Sequence, residues 1–133
     1  MNLVFYKPEK HQELLQSWLS EHGIPTGAVN LLSDTGLICP DVEDAAPAAM
    51  AFLYTTNSPE ALIDRVVTRP GLSRTRRVAA LSRLFKGLSD LARNRGYSLV
   101  STLGRTAGVH ECLTEAGFIP MPKPYNLYHK DVR

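Results

Sequence analysis

Apolar side chains at Val78, Leu81, Leu84, Phe85, Leu88 and Leu91 recur at steps of three, three, one, three and three. That spacing holds them on one stripe of a helix, and a stripe so placed predicts a sheet beneath it. Ser73 stands where an N-cap hydroxyl can accept from an orphan amide, and Gly96 stands where a left-handed C-cap is wanted. Upstream, the run Val66-Val67-Thr68 ends in the turn dipeptide Pro70-Gly71. The stretch from Val66 to Gly96 therefore reads as strand, turn and long amphipathic helix.

The same patterning places the other elements. Leu3 to Tyr6 is a short strand; Pro8 suits a first helical turn, and Leu14, Leu15, Trp18 and Leu19 form a stripe that stops near Gly23. Ile24 to Asn30, broken by Pro25 and Gly27, is either a connector or a loop that shapes a pocket. Thr35 to Cys39 and Ala48 to Thr55 predict a hairpin across an acidic turn. The carboxylates of that turn, Asp41, Glu43 and Asp44, read as an exposed, solubilising group. Ala61 to Thr68 and Tyr97 to Leu103 predict strands, Val109 to Ala116 a short helix closed by Gly117, and Phe118-Ile119 a return to the sheet. Pro120 to Pro124 is a loop or edge, followed by a last β-run at Asn126 to Lys130.

Composition narrows the class. A chain of 133 residues, 44% apolar, matches one globular domain spanning 1–133. No apolar run approaches the roughly 20 residues of a membrane span, and the N-terminus lacks a signal-peptide pattern, which predicts a cytoplasmic protein with no membrane partner. Cys39 and Cys112 read as reduced thiols. His110 and Cys112 fall on different helical faces, and His11 and His22 lie about 16 Å apart along a helix, so no metal site is expected.

Charge singles out one element. Between Arg69 and Arg95 eight basic residues stand against Asp90 alone, a net +7 in a chain of net +2. Arg83, Lys86, Arg93 and Arg95 read as a solvated helix face. Arg74, Arg76 and Arg77 differ, because cations at the positive end of a helix oppose its dipole by a few tenths to ~1 kcal/mol each. An anion bound there would relieve the conflict, and the orphan amides at a helix start are themselves a phosphate site. Nucleic acid is a poor match, since the basic helix lacks interleaved aromatics and any reading motif. Asp64 and Arg65 interrupt an otherwise apolar strand whose successive side chains take opposite faces. Asp64 is thus a candidate site residue, or else one half of an ion pair at the strand's entry.

The element order, a mixed α/β (α+β) arrangement with a mostly antiparallel central sheet flanked by helices, resembles the GNAT N-acetyltransferase superfamily. The resemblance rests on the arginine-led helix after a strand at Val66 to Gly96, on Gly96-Tyr97 leading into the next strand, and on Leu113-Thr114-Glu115-Ala116-Gly117-Phe118, similar to the family's helix-then-Gly-Phe ending. In size and wording the chain looks most like the small GNAT-like proteins of tailed bacteriophages.

The resemblance implies acetyl-CoA bound where the fourth and fifth strands part, with its pantetheine arm against Val66, Val67 and Thr68. Its pyrophosphate would then lie on the first turn of the long helix. The family's phosphate loop maps onto Arg74-Thr75-Arg76-Arg77-Val78-Ala79 with Arg77 at the usual glycine, or begins at Arg76 with Ala79 at that glycine. It also implies an amine acceptor, small molecule or protein, with Asp64 taking the amine's proton. Leu113 stands where the family often has a tyrosine acid; His110, Tyr125 and Tyr128 are the substitutes to weigh. Two roles are in play. One is an acetyl-CoA-dependent N-acetyltransferase. The other is an inactive binding or structural relative, a virion component, a host-protein ligand or a homodimer.

Overall fold

The computed structural model describes residues 2–104, 107–121, 128 and 130–133. Among them the chain runs through β1 (Val4–Phe5), α1 (Pro8–Glu21), a 3-10 helix (Thr26–Leu31), β2 (Gly36–Pro40), β3 (Pro47–Tyr54) and β4 (Glu60–Thr68). It continues through α2 (Arg74–Asn94), β5 (Leu99–Thr102) and α3 (Ala107–Glu115). The strands lie in the order β1-β2-β3-β4-β5, and every pairing is antiparallel except β4 with β5. A parallel pair needs a crossover, and α2 supplies it.

The helices form for local reasons. Pro8 opens α1, where the Lys7 amide donates to Nδ1 of His11 at 2.9 Å in place of a capping hydroxyl. In α2 the Ser73 hydroxyl accepts from the Arg76 amide, and the chain leaves through Gly96 at φ 94°, a left-handed conformation that suits glycine. The helical stripe then does what its spacing predicts. Leu81, Leu84, Phe85 and Leu88 are buried with Leu37, Ala49, Ala51 and Leu53 on one face of the sheet. On the other face Leu15, Trp18 and Leu19 of α1 pack with Ile38, Met50, Phe52 and Val67. Each fully buried side chain of this kind contributes about 1.5 to 3 kcal/mol. Together the two clusters clamp β2, β3 and β4 between layers.

Two features of β4 position the site. Its parallel pairing with β5 ends at Ile63↔Thr102, and the Thr102 hydroxyl donates to the Ile63 carbonyl at 2.9 Å. Beyond that rung, among the described residues, β4 runs on to Thr68 against β3 alone. The β3 register also shifts here, from Phe52↔Asp64 to Met50↔Val67, so Arg65 and Val66 together oppose Ala51. Arg65 carries the extra residue at φ 56°. This is a β-bulge, and it bends the strand where its partner leaves it.

Two of the sequence expectations are corrected by the fold. The acidic turn is not simply exposed. Asp41 is fully buried, accepts from Nε of Arg76 at 3.0 Å, and is also paired with Arg69. The turn closes on itself so that this carboxylate points inward: the Asp41 amide donates to the Ala46 carbonyl, and the Asp44 amide to Asp41 Oδ2. Phe118 and Ile119 do not re-enter the sheet; they follow Gly117 in an irregular segment with Ile119 almost wholly exposed. Their backbone is turned off the sheet by the left-handed Gly117 at φ 91°. Of the last expected β-run, residues 126, 127 and 129 lie outside the described residues; Tyr128 is exposed and in no regular element.

Candidate functional site

Where β4 and β5 part, a cavity of about 810 Å³ opens between the two layers of helices. Its floor is β4 from Asp64 to Thr68. One end is walled by Arg74, Arg77, Val78 and Leu81 of α2, and one side by Thr102, Leu103, Gly108, Val109 and Cys112 of the β5–α3 region. The opposite side is apolar, formed by Leu15 and Leu19 of α1 with Ile24, Ala28 and Leu32.

The floor offers backbone as well as side chains. The Arg69 amide donates to the Ala48 carbonyl at 2.8 Å, so Arg69 faces β3. Peptide groups alternate along a strand, which turns those of Thr68 and Val66 toward the open side. The Thr68 carbonyl is already taken by Nε2 of His22, 2.7 Å away at the end of α1. The Val66 peptide and the Thr68 amide are left facing the cavity.

The α2 end is electropositive. The first intrahelical donor is Arg77, whose amide reaches the Ser73 carbonyl, so the amides of Arg74 and Thr75 precede the helical ladder. Arg77 folds its guanidinium onto the Leu72 carbonyl at 2.8 Å and, among the described residues, has no acidic partner. Arg74 pairs with Glu111 of α3 across the rim, a contact between exposed groups. Helix dipole, free amides and the unpaired Arg77 all favour an anion at this end.

At the far end of the floor the bulge sets Asp64 and Arg65 into one cavity, although a regular strand would send them to opposite faces. Asp64 Oδ1 accepts from the Arg65 amide at 2.8 Å, which holds the bulge from within. A non-glycine residue at positive φ costs about 1 kcal/mol or more, and such strain tends to collect at functional sites. The Arg65 guanidinium lies beside the Tyr54 hydroxyl, where it opposes the upward pull of burial on that phenol. Tyr54 commits its proton to the Leu31 carbonyl at 2.9 Å. Cys112, wholly buried, has its thiol pushed up by the same desolvation.

No protein-family model matches the chain, and no curated protein matches it by sequence. Solved structures do match. A wild-type Thermus thermophilus protein superposes with a TM-score of 0.73 at 18% identity, over 100% of both chains. An aminoglycoside N-acetyltransferase in complex with CoA gives 0.67 at 12% identity, over 98% of this chain and 99% of that one. The chain has the GNAT acetyltransferase fold. The ribosomal-protein-alanine N-acetyltransferase of Brucella melitensis biovar Abortus shares it as well, with a TM-score of 0.67 at 12% identity over 97% of this chain and 100% of that one.

Within this acetyltransferase fold the sequence-selected residues separate. Asp64, Val66, Val67, Thr68, Arg74, Arg77 and Val78 line one cavity. Arg76 does not; its side chain turns to Asp41, Glu43 and Asp44 behind the helix start. Ala79 is half-buried and off the cavity wall. His110 is exposed, lies against Gly104 and does not line the cavity, while Tyr125 lies outside the described residues. Asp64 forms no ion pair among the described residues. Sequence reasoning missed Arg65 and His22 as parts of the site. The adjacent charges at Asp64-Arg65 in an apolar run were the signal for the bulge; nothing near His22 announced its reach to Thr68, 46 positions away.

Proposed function

We propose that the protein is an acetyl-CoA-dependent N-acetyltransferase acting on an amine. The observation that carries this reading is the parting of β4 from β5 directly beside the electropositive start of α2. An extended arm with amide groups can pair with the Val66 peptide and the Thr68 amide, as an added strand would. The diphosphate of the same molecule falls on the amides of Arg74 and Thr75 and on Arg77. The aminoglycoside N-acetyltransferase that shares the fold was solved with CoA, which supports the same occupant here.

Transfer then proceeds by direct attack. The amine nitrogen adds to the thioester carbonyl carbon held near the bulge, the C–N bond forms, and the C–S bond breaks with its electron pair leaving on sulfur. Asp64 is the carboxylate positioned to receive the amine's proton, directly or through water. Leu113, at the position of the family's tyrosine, is buried in the core and supplies no acid, so the thiolate takes its proton from water. That same leucine favours the second reading, a non-catalytic protein that keeps the fold.

Thermal unfolding with and without saturating acetyl-CoA tests the reading. Ligand at a hundredfold excess over Kd adds about 2.7 kcal/mol, a rise of roughly 8 to 10 °C for a domain of this size. Arg77→Ala should remove most of that rise with little change in the unliganded protein. Arg76→Ala should do the reverse, lowering the unliganded melting temperature and leaving the increment intact. No rise at millimolar acetyl-CoA would set the enzyme reading aside.

A further inference from the structure

The cavity carries two separate charged ends, and only one belongs to a phosphate. Arg74 and Arg77 gather at the start of α2, beyond Thr68. Arg65 sits three residues back along β4, at the bulge, on the far side of the Val66 peptide and the Thr68 amide. It is therefore a second cationic group with no part in holding the diphosphate. Beside it stands Asp64, of opposite sign, and neither forms an ion pair among the described residues. A carboxylate and a guanidinium that are adjacent, line one cavity and form no ion pair among the described residues present a dipole to whatever enters. The surrounding wall is apolar: Leu15, Leu19, Leu32 and Phe52.

Taking the acetyltransferase reading above as given, we infer that the acceptor is a free α-amino acid with an apolar side chain. Its ammonium meets Asp64, its carboxylate meets the Arg65 guanidinium, and its side chain lies against the leucines of α1 and Phe52. A polyamine would place a second cation against Arg65, and a peptide N-terminus lacks the carboxylate that Arg65 would hold. The strained conformation of Arg65 has a purpose on this account: without the left-handed residue the two charges would point to opposite faces. The chemistry balances with water as the only further participant. Starting from the ammonium, one proton passes to Asp64 and on to solvent, the amine nitrogen bonds to the acetyl carbon as the C–S bond breaks, the second proton lost from nitrogen passes to water, and the departing CoA sulfur takes one proton from water.

The test compares leucine, alanine, leucinamide and spermidine as acceptors, reading CoA thiol release by wild type, Arg65→Lys and Arg65→Gly. Binding of acetyl-CoA is titrated calorimetrically on the same three proteins. Wild type should favour leucine over leucinamide by about 10- to 100-fold, the range expected for hydrogen bonds to a charged group. Alanine should rank below leucine, and spermidine should be poor. Arg65→Gly fits the positive φ without strain, so it should melt at or above wild type while losing the leucine-over-leucinamide preference; Arg65→Lys should keep part of it. A merely structural role for Arg65 would change all acceptors alike. Acetyl-CoA binding with leucinamide or spermidine accepted as well as leucine, or with no leucine turnover, overturns the acceptor assignment and leaves the cofactor reading standing. Absence of acetyl-CoA binding overturns both.

Discussion

Replacing Asp41 by asparagine should lower the melting temperature by about 10 °C or more, because removing one partner of a buried ion pair strands the others. Asp41 is fully buried, and both Arg69 and Arg76 converge on it. Asparagine keeps the shape and can still accept from the Asp44 amide, so the change isolates the charge. Arg69 and Arg76 would then face each other with only the exposed Asp44 and Glu43 nearby. The side-chain hydrogen bond from Arg76 holds the Asp41 carboxyl well below the usual carboxylate range. A depressed folded-state pKa contributes stability that is complete above the unfolded value of about 3.9 and drains as pH falls toward the folded one. The gap between wild type and Asp41→Asn should accordingly be constant from pH 7 to about pH 4 and narrow below that. A difference under about 2 °C at pH 7 would mean the cluster behaves as a surface network.

The second large effect is on turnover. Asp64→Asn should lower kcat by about 10²- to 10⁴-fold, the usual contribution of a positioned acid or base, with acetyl-CoA affinity within about twofold of wild type. Asparagine retains an oxygen for the Arg65 amide, so the bulge and the melting temperature should persist. Steady-state kinetics beside calorimetry separates the two quantities. An unchanged kcat would show that the amine loses its proton straight to water.

What could be read from the sequence depended on how local the cause was. The stripe of α2, its Ser73 cap and its Gly96 exit follow from residues within a turn or two of one another, and they appear where spacing puts them. The parting of β4 and β5 came from the resemblance, because no pattern within one strand says where its neighbour leaves. Arg76 looked equivalent to Arg74 and Arg77, being part of the same basic run. Its fate was decided by Asp41, 35 positions away in a turn whose composition looked solvated. Phe118 and Ile119 carry strand-forming side chains, yet Gly117 at φ 91° steers the chain elsewhere. At the site, Asp64 was legible as a charge in an apolar strand. The left-handed geometry that puts Arg65 beside it was not, since arginine gives no hint of positive φ.

The claim that the gap beside β4 receives the arm of acetyl-CoA is tested most directly by amide hydrogen exchange at Val66 and Thr68, with and without saturating acetyl-CoA. Both amides face the open side of the strand, so each should exchange readily in the free protein and slow by tenfold or more when the arm pairs with them, a change worth about 1.4 kcal/mol. The Val67 and Arg69 amides, turned toward β3, should change far less. Unaltered exchange at Val66 and Thr68 in protein shown to be saturated with acetyl-CoA would contradict the account and place the cofactor elsewhere.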